Sequence, residues 1–193
     1  MEIKGKTPLD EPTEARIEGE RIYLRPLEEK DITERYLSWF RDPEVTRFLE
    51  ARDLTRQAVL DHLEEGRRSG TYSMYAICLR ENDLHVGNLK VGPMDRKHGI
   101  SDLVTVIGDK GHWGRGLATE AVRLGTRLAF EVYGVRKLYG GMYAENLGSI
   151  RAYLKAGWKE EARLGDHYMV DGKTMDRVCV CAFRPGYRRE GKE

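Results

Sequence analysis

The sequence predicts an α/β protein in which one mixed sheet of about seven strands is flanked by helices. Four segments carry apolar residues at helical spacing, and three successive segments in the middle are rich in β-branched and aromatic residues. Asp171-Gly172, between two further apolar segments, is a favoured two-residue hairpin turn. Strands and helices in this order predict a sheet with helices packed on it.

The first third of the chain predicts an arm, one strand and two helices. Residues 1–19 are acidic and carry two prolines and few large apolar groups, so we expect an irregular arm. A strand is predicted over 21–25 and a helix over 30–40, with a short helical turn at 45–49. Thr55 is the expected N-cap of the second helix.

The remainder of the chain predicts most of the sheet and two further helices. Three β-rich segments joined by short turn signals predict an antiparallel meander. A long amphipathic helix, a strand, a shorter helix and a hairpin follow. The predicted ranges are 72–79, 84–91 and 100–107 for the meander, 114–133 and 147–156 for the helices, 137–143 for the next strand, 158–170 and 173–183 for the hairpin, and 186–193 for a basic C-terminal tail.

Composition is that of an ordinary globular protein and excludes several function classes. Lys and Arg number 33 and Asp and Glu number 32 among 193 residues, so the net charge of +1 gives no reason to expect nucleic acid as a partner. No apolar run is long enough for a membrane span or a signal peptide, which predicts a cytoplasmic protein without a membrane partner. The three cysteines and five histidines lack metal-ligand spacing, so we expect no metal.

The glycine-rich segment 111–119, Gly-His-Trp-Gly-Arg-Gly-Leu-Ala-Thr, joins a predicted strand to the long helix. Its glycines let backbone approach a ligand, and a helix N-terminus offers unpaired N–H groups that suit a phosphate. By itself, the segment is equally compatible with a turn that only admits the helix. Two other phosphate loops do not fit, because Leu117 follows Gly116 where a Walker loop needs Lys, and Thr119 replaces the third glycine of a dinucleotide fingerprint.

Two motifs resemble those of the GNAT superfamily of N-acetyltransferases. Residues 113–121, Trp-Gly-Arg-Gly-Leu-Ala-Thr-Glu-Ala, resemble its acyl-CoA motif, Arg/Gln-x-x-Gly-x-Gly/Ala. Trp113 departs from the commonest first residue but is usual in the branch similar to ribosomal-protein N-terminal acetyltransferases. Residues 146–158 resemble the family segment Asn-x-x-Ser-x-x-x-Tyr-x-Lys-x-Gly-Phe, with Trp for Phe. The resemblance implies a single GNAT-like acyl-CoA N-acyltransferase domain over 20–185, with acetyl-CoA as co-substrate.

The resemblance also implies which residues hold acetyl-CoA. Family members bind the pyrophosphate on the cradle before the long helix, and the pantetheine arm fills a gap beside the fourth strand. One N–H of that strand then polarises the thioester carbonyl. The implied cofactor residues are Trp113, Gly114, Arg115, Gly116, Ala118, Thr119, Asn146, Ser149, Val106 and Ile107.

The same resemblance makes Tyr153 the expected general acid for the departing thiolate and Asp102 the expected base. An alkylamine with a pKa near ~10 is almost fully protonated at pH 7, and deprotonation costs roughly 4 kcal/mol. A carboxylate can hold the ammonium and relay its proton. Two alternatives stay open: Asp102 only positions the amine, and Tyr153 only packs. Asn146 also suits a helix N-cap, a role compatible with cofactor contact.

The acceptor is expected to be a small-molecule primary amine. The segments 37–49 and 86–90 resemble acetyltransferases of surface-polysaccharide and flagellin-sugar pathways, which implies a nucleotide-linked amino sugar. Trp39, Asn88 and His167 are the candidate acceptor-binding residues. A protein N-terminus or a polyamine is the alternative acceptor, and a non-catalytic acyl-CoA-binding regulator is the alternative from another class. The sequence is compatible with a monomer or a homodimer.

Overall fold

The computed structural model describes residues 16–170 and 172–187, which form one eight-stranded sheet with the order β1-β2-β3-β4-β5-β6-β8-β7. All neighbouring strands are antiparallel except β5 and β6, so the predicted mixed sheet is confirmed. The strands are β1 Ile17–Glu18, β2 Ile22–Pro26, β3 Ser73–Leu79, β4 His85–Asp95, β5 Ile100–Ile107, β6 Lys137–Tyr143, β7 Lys159–Val170 and β8 Lys173–Phe183.

Five α-helices pack on the sheet, and two of the predicted N-caps are confirmed. The Thr55 hydroxyl accepts a hydrogen bond from Ala58 N, and the Asn146 side chain accepts one from Ser149 N. In the described part of the chain, none of the helices has the length and apolar character needed to cross a membrane. The helices are α1 Glu34–Arg41, α2 Pro43–Thr46, α3 Arg56–Ser69, α4 Leu117–Glu131 and α5 Leu147–Lys155, with 3-10 turns at Glu29–Asp31 and Lys110–His112.

The two faces of the sheet carry separate hydrophobic cores. Successive strand residues point to opposite faces, and β3 divides accordingly: Tyr75 and Ile77 join the core under α4 and α5, whereas Ala76 and Cys78 join the core under α1 and α3. Gly125 lets α4 lie close to the sheet, because a Cβ there would be 2.5 Å from a methyl carbon of Leu89. The sheet is therefore covered on both faces.

Local differences from the predicted elements have identifiable causes. The end of the predicted irregular arm is a strand, because Ile17 and Glu18 pair with β2 and Ile17 packs on the core. The helical turn predicted at 45–49 begins earlier, since Asp42 caps it and a proline occupies its first turn. Residues 1–15, the hairpin residue Asp171 and most of the predicted tail, 188–193, lie outside the described residues.

Strands β5 and β6 are paired only at one end. Their pairing covers Ile100–Asp102 of β5 and Lys137–Tyr139 of β6, although β5 continues to Ile107 and β6 to Tyr143. Beyond the last pair the strands diverge, and backbone groups on the facing edges have no partner strand. The divergence opens a wedge in the middle of the sheet.

Candidate active site

A cavity of about 580 Å³ occupies the wedge. Residues 103–106 of β5 form one wall and residues 140–143 of β6 form the other, while α1, α3 and the segment between α2 and α3 cover it. Asn146, Ser149 and Tyr153 of α5 also line it. A volume of this size is typical of small-molecule sites. The cavity therefore joins the two regions that carry the predicted motifs.

Tyr153 reaches the wedge from α5. Its side chain is only 3% exposed and packs edge-on against Trp158, with ring centroids 4.9 Å apart. The hydroxyl donates a hydrogen bond of 2.7 Å to the carbonyl of Leu103. Burial raises the pKa of Tyr153 above its usual value, so the phenol keeps its proton at neutral pH. Tyr153 therefore brings a protonated hydroxyl to the wedge.

Asp102 is the last residue of β5 that pairs with β6, and its side chain lines the cavity. Its carboxylate accepts a hydrogen bond of 2.7 Å from Leu103 N. Burial raises the pKa of Asp102, and the Leu103 N–H, Lys90 and Arg177 only partly offset this effect. A carboxylate with a raised pKa is a better proton acceptor than an ordinary one. Asp102 and Tyr153 therefore meet in one cavity.

The register between β4 and β5 decides which β5 backbone groups face the wedge. Val86 O accepts from Gly108 N, and hydrogen-bonded pairs alternate in an antiparallel ladder, so Asn88 and Val106 form the next such pair. The Val106 amide therefore points at β4, and its assignment as a cofactor donor is wrong; its side chain lines the cavity. Ile107, Thr105 and Leu103 direct their backbone groups toward the wedge.

The glycine-rich cradle has the geometry that close ligand approach requires. Gly114 and Gly116 have φ angles of +73° and +76°, and a Cβ on Gly114 would meet nothing within 4 Å. Gly116 is the N-cap of α4, and the first bond into the helix runs from Glu120 N to Gly116 O. The N–H groups of residues 117–119, including Ala118 and Thr119, thus precede the helical ladder and are suited to an anion.

An internal brace holds the cradle in place. The Arg21 guanidinium donates to the Arg115 carbonyl and, at 3.0 Å, to Glu120 of α4. Burial by itself raises the pKa of Glu120, but hydrogen bonds from the backbone N–H groups of Arg21 and Ile22 and from the guanidinium outweigh it, so the pKa is lowered. Glu120 is therefore ionised at neutral pH and ties β2 to the first turn of α4.

Trp113 fastens the other side of the cradle. Its indole Nε1 donates a hydrogen bond of 2.7 Å to Ile107 O at the end of β5. The ring remains 43% exposed, which leaves one surface for a ligand. The wedge-facing carbonyl of Ile107 is thus already occupied by Trp113. This link between cradle and β5 was not predicted, because the sequence gives no sign of it.

The three candidate acceptor residues lie in different places. Asn88 lines the cavity, whereas Trp39 and His167 are not among its lining residues. Trp39 packs against Gly108, where a Cβ would lie 2.2 Å from the indole. The His167 ring contacts Arg177 and the edge of Tyr168 on exposed β7. The polar lining residues that sequence reasoning missed include Glu50, His62, Lys90 and Tyr168.

No cluster of three or more His, Cys, Asp or Glu side chains arranged as metal ligands occurs within residues 16–170 and 172–187.

Comparison with known families identifies the same region of the chain. Residues 21–159 match the family described as Acetyltransferase (GNAT) domain. Spermidine N(1)-acetyltransferase of Escherichia coli strain K12 is 28% identical over 182 residues, which cover 89% of this chain and 90% of that protein. The family match over residues 21–159 includes the cradle, Asp102 and Tyr153.

Solved structures share the fold at low sequence identity. Ribosomal-protein-S5-alanine acetyltransferase from Vibrio fischeri superposes with a TM-score of 0.77 and 13% identity, over 91% of this chain and 100% of that chain. Spermidine N-acetyltransferase from Vibrio cholerae, in complex with CoA and spermine, gives a TM-score of 0.75 and 15% identity, over 84% and 95% of the two chains.

Proposed function

The chain belongs to the GNAT acetyltransferase family and is an acetyl-CoA-dependent N-acetyltransferase, and on this premise we propose that Asp102 and Tyr153 transfer the protons of the reaction. The observation that carries the proposal is the wedge between β5 and β6, because one cavity contains both side chains. Each reaches it from a different element, Asp102 from β5 and Tyr153 from α5.

Acetyl-CoA lies with its pyrophosphate on the cradle and its pantetheine arm in the wedge. The positive φ angles of Gly114 and Gly116, and the N–H groups at the start of α4, support the first contact. The unpaired edge of β5 supports the second, since an extended chain can add to it as a strand. Thr105, rather than Val106, directs its amide toward this arm.

The proton transfers follow from where the two side chains lie. Asp102 accepts a proton from the acceptor ammonium, and the neutral amine attacks the thioester carbonyl. A C–N bond forms, the C–S bond breaks, and the Tyr153 hydroxyl donates its proton to the departing sulfur. The nitrogen loses its second proton as the amide forms, that proton restores the Tyr153 hydroxyl through solvent, and Asp102 then releases its own proton. Each turnover therefore frees one proton and the cycle is balanced.

An amino sugar is the first candidate acceptor. Tyr143 and Tyr168 pack together in the cavity wall, with ring centroids 4.1 Å apart, and such aromatic surfaces suit the apolar faces of a sugar ring. A polyamine is the second candidate because the Escherichia coli relative is named for spermidine. A polyamine site would need several carboxylates, but the described residues that line the cavity include two, Glu50 and Asp102.

A thiol-release screen with acetyl-CoA tests the proposal. Purified protein is incubated with amino sugars and their nucleotide conjugates, spermidine and N-terminal peptides, and free thiol is measured over time. Release that depends on an amino sugar supports the first candidate. Release with spermidine alone, or with peptides alone, rejects it. Calorimetry with CoA serves as the control for a folded, cofactor-competent protein.

A further inference from the structure

We propose that the acceptor carries a negatively charged oxygen group in addition to its amine, and that Lys90 binds this group. The inference rests on the proposed function, because Lys90 lines the acceptor side of the same cavity. It narrows the acceptor to a zwitterion, such as a phosphorylated amino sugar or an amino acid. Lys90 is then a specificity-determining residue.

Lys90 forms no ion pair with a carboxylate among the described residues. It lies on β4, is partly buried and lines the cavity, and its Nζ is 5.8 Å from the ring centroid of Tyr72. Throughout residues 16–170 and 172–187, no carboxylate lies within 4.0 Å of this ammonium. By contrast, Lys137, which is also partly buried, has Glu161 at 2.5 Å. A bound oxyanion would give the Lys90 ammonium a charge-assisted hydrogen bond that no carboxylate of the described residues supplies.

A second donor stands beside Lys90. Asn88 lies two residues earlier on the same strand, so the two side chains share one face of the sheet. Its Oδ1 is 3.0 Å from His85 Nε2, and its buried Nδ2 lacks a hydrogen bond of good geometry, although the Asn88 side chain also interacts with the Tyr36 hydroxyl. Asn88 is only 5% exposed and lines the cavity. An oxyanion between the two residues receives one bond from an ammonium and one from an amide.

The neighbouring strand provides the complementary charge. Asp102 on β5 faces the same cavity and is close enough to Lys90 for each charge to act on the other. His62 on α3 adds no positive charge, because burial, and then the nearby Lys90, lower its pKa. The paired strands β4 and β5 thus carry both charges, with the Asp102 carboxylate for the ammonium and the Lys90 cation for the oxyanion. The second ammonium of a polyamine would instead meet Lys90.

Matched acceptor pairs test the inference. Glucosamine and glucosamine 6-phosphate differ by one phosphate, and alaninamide and alanine differ by one carboxylate charge. In thiol-release assays, the anionic member of at least one pair is expected to have a kcat/KM about tenfold or more higher, the effect of one charge-assisted hydrogen bond. Lys90→Met should abolish that preference without weakening CoA binding. Lys97→Met, on the exposed turn before β5, is the matched control and should keep it.

The outcomes separate this inference from the proposed function. Lys90→Glu is expected to favour spermidine over the anionic acceptor, because it reverses the charge on the β4 wall. Three outcomes would overturn the inference but leave acetyl transfer in place. The first is equal use of both members of each pair, and the second is a preference for the anion that survives in Lys90→Met. The third is turnover of spermidine alone by the unmodified protein. Absence of thiol release with every amine would reject the proposed function itself. Calorimetry with CoA establishes that each variant is folded.

Discussion

Tyr153→Phe removes one oxygen atom from the centre of the wedge. That hydroxyl donates to Leu103 O at 2.7 Å, so the substitution deletes the proposed proton donor and also leaves a buried carbonyl without its partner. The two losses have different consequences. Loss of the donor affects turnover, and loss of the hydrogen bond affects the free energy of unfolding.

The expected magnitudes follow from these contacts. Removal of a general acid typically costs about 10²–10⁴-fold in rate, so kcat should fall by at least ~10²-fold. An unsatisfied buried carbonyl costs about 1–3 kcal/mol, which for a domain of this size lowers the melting temperature by roughly 2–12 °C. The Kd for CoA should stay within about twofold, because the cradle lies on a different helix.

Three measurements on Tyr153→Phe test whether Tyr153 is the general acid: initial rates of thiol release, calorimetric titration with CoA and thermal unfolding. Tyr133→Phe is the matched control, since its hydroxyl is 2.6 Å from the hydroxyl of buried Tyr75 and neither residue lines the cavity. The control should lose stability but retain kcat. Unchanged kcat in Tyr153→Phe, or a loss confined to CoA affinity, would refute the assignment of Tyr153 as the acid.

Three other predictions concern the base, the brace and the packing of Trp39. Because burial raises the pKa of Asp102 and its ionised form is the base, kcat/KM should fall as pH drops through a value above the usual ~3.9. Asp102→Asn should lower the rate about 10²-fold and remove this acidic fall in kcat/KM. A variant that keeps the same fall would contradict the assignment of Asp102 as the base. Glu120 has a lowered pKa, so its contribution to stability is present at neutral pH and is lost as pH falls through that value. Glu120→Gln should therefore cost about 1–3 kcal/mol at pH 7 in denaturant unfolding, and a cost that does not shrink in acid would argue against the brace. Gly108→Ala places a Cβ 2.2 Å from the Trp39 indole and should destabilise the fold by about 1–3 kcal/mol; Gly165→Ala, where the nearest atom is 3.9 Å away, is the control.

Local sequence signals were sufficient to predict the helices, the strands and the glycine-rich cradle. Thr55 and Asn146 are caps because a side chain bonds to an amide three residues later, which depends on a few neighbouring residues only. The glycines at 114 and 116 reflect backbone angles at those positions themselves. Tyr153 and Asp102 were found from family motifs, and the fold then brought them into one cavity.

Features set by distant contacts could not be predicted. The direction of the Val106 amide depends on the pairing of Val86 with Gly108, a matter of register between two strands. His167 was selected although its neighbour Tyr168 faces the cavity, because a one-residue step along a strand exchanges the faces. The burial of Trp39 depends on Gly108, which lies 69 residues further along the chain.

The joint between β5 and β6 gives residues outside the cavity an influence on the cradle. When two strands diverge from a shared paired end, their far ends move most. Residues 103–107 of β5 extend about 16 Å past the joint. A rotation of β5 by about 5° at the joint therefore shifts Ile107 by roughly 1.4 Å, close to the length of one carbon–carbon bond. Arg136 N donates to Gly99 O at 2.8 Å beside this joint. Since Ile107 holds Trp113 of the cradle, we expect substitutions at Gly99 to change the Kd for CoA, although this residue lies outside the cavity lining.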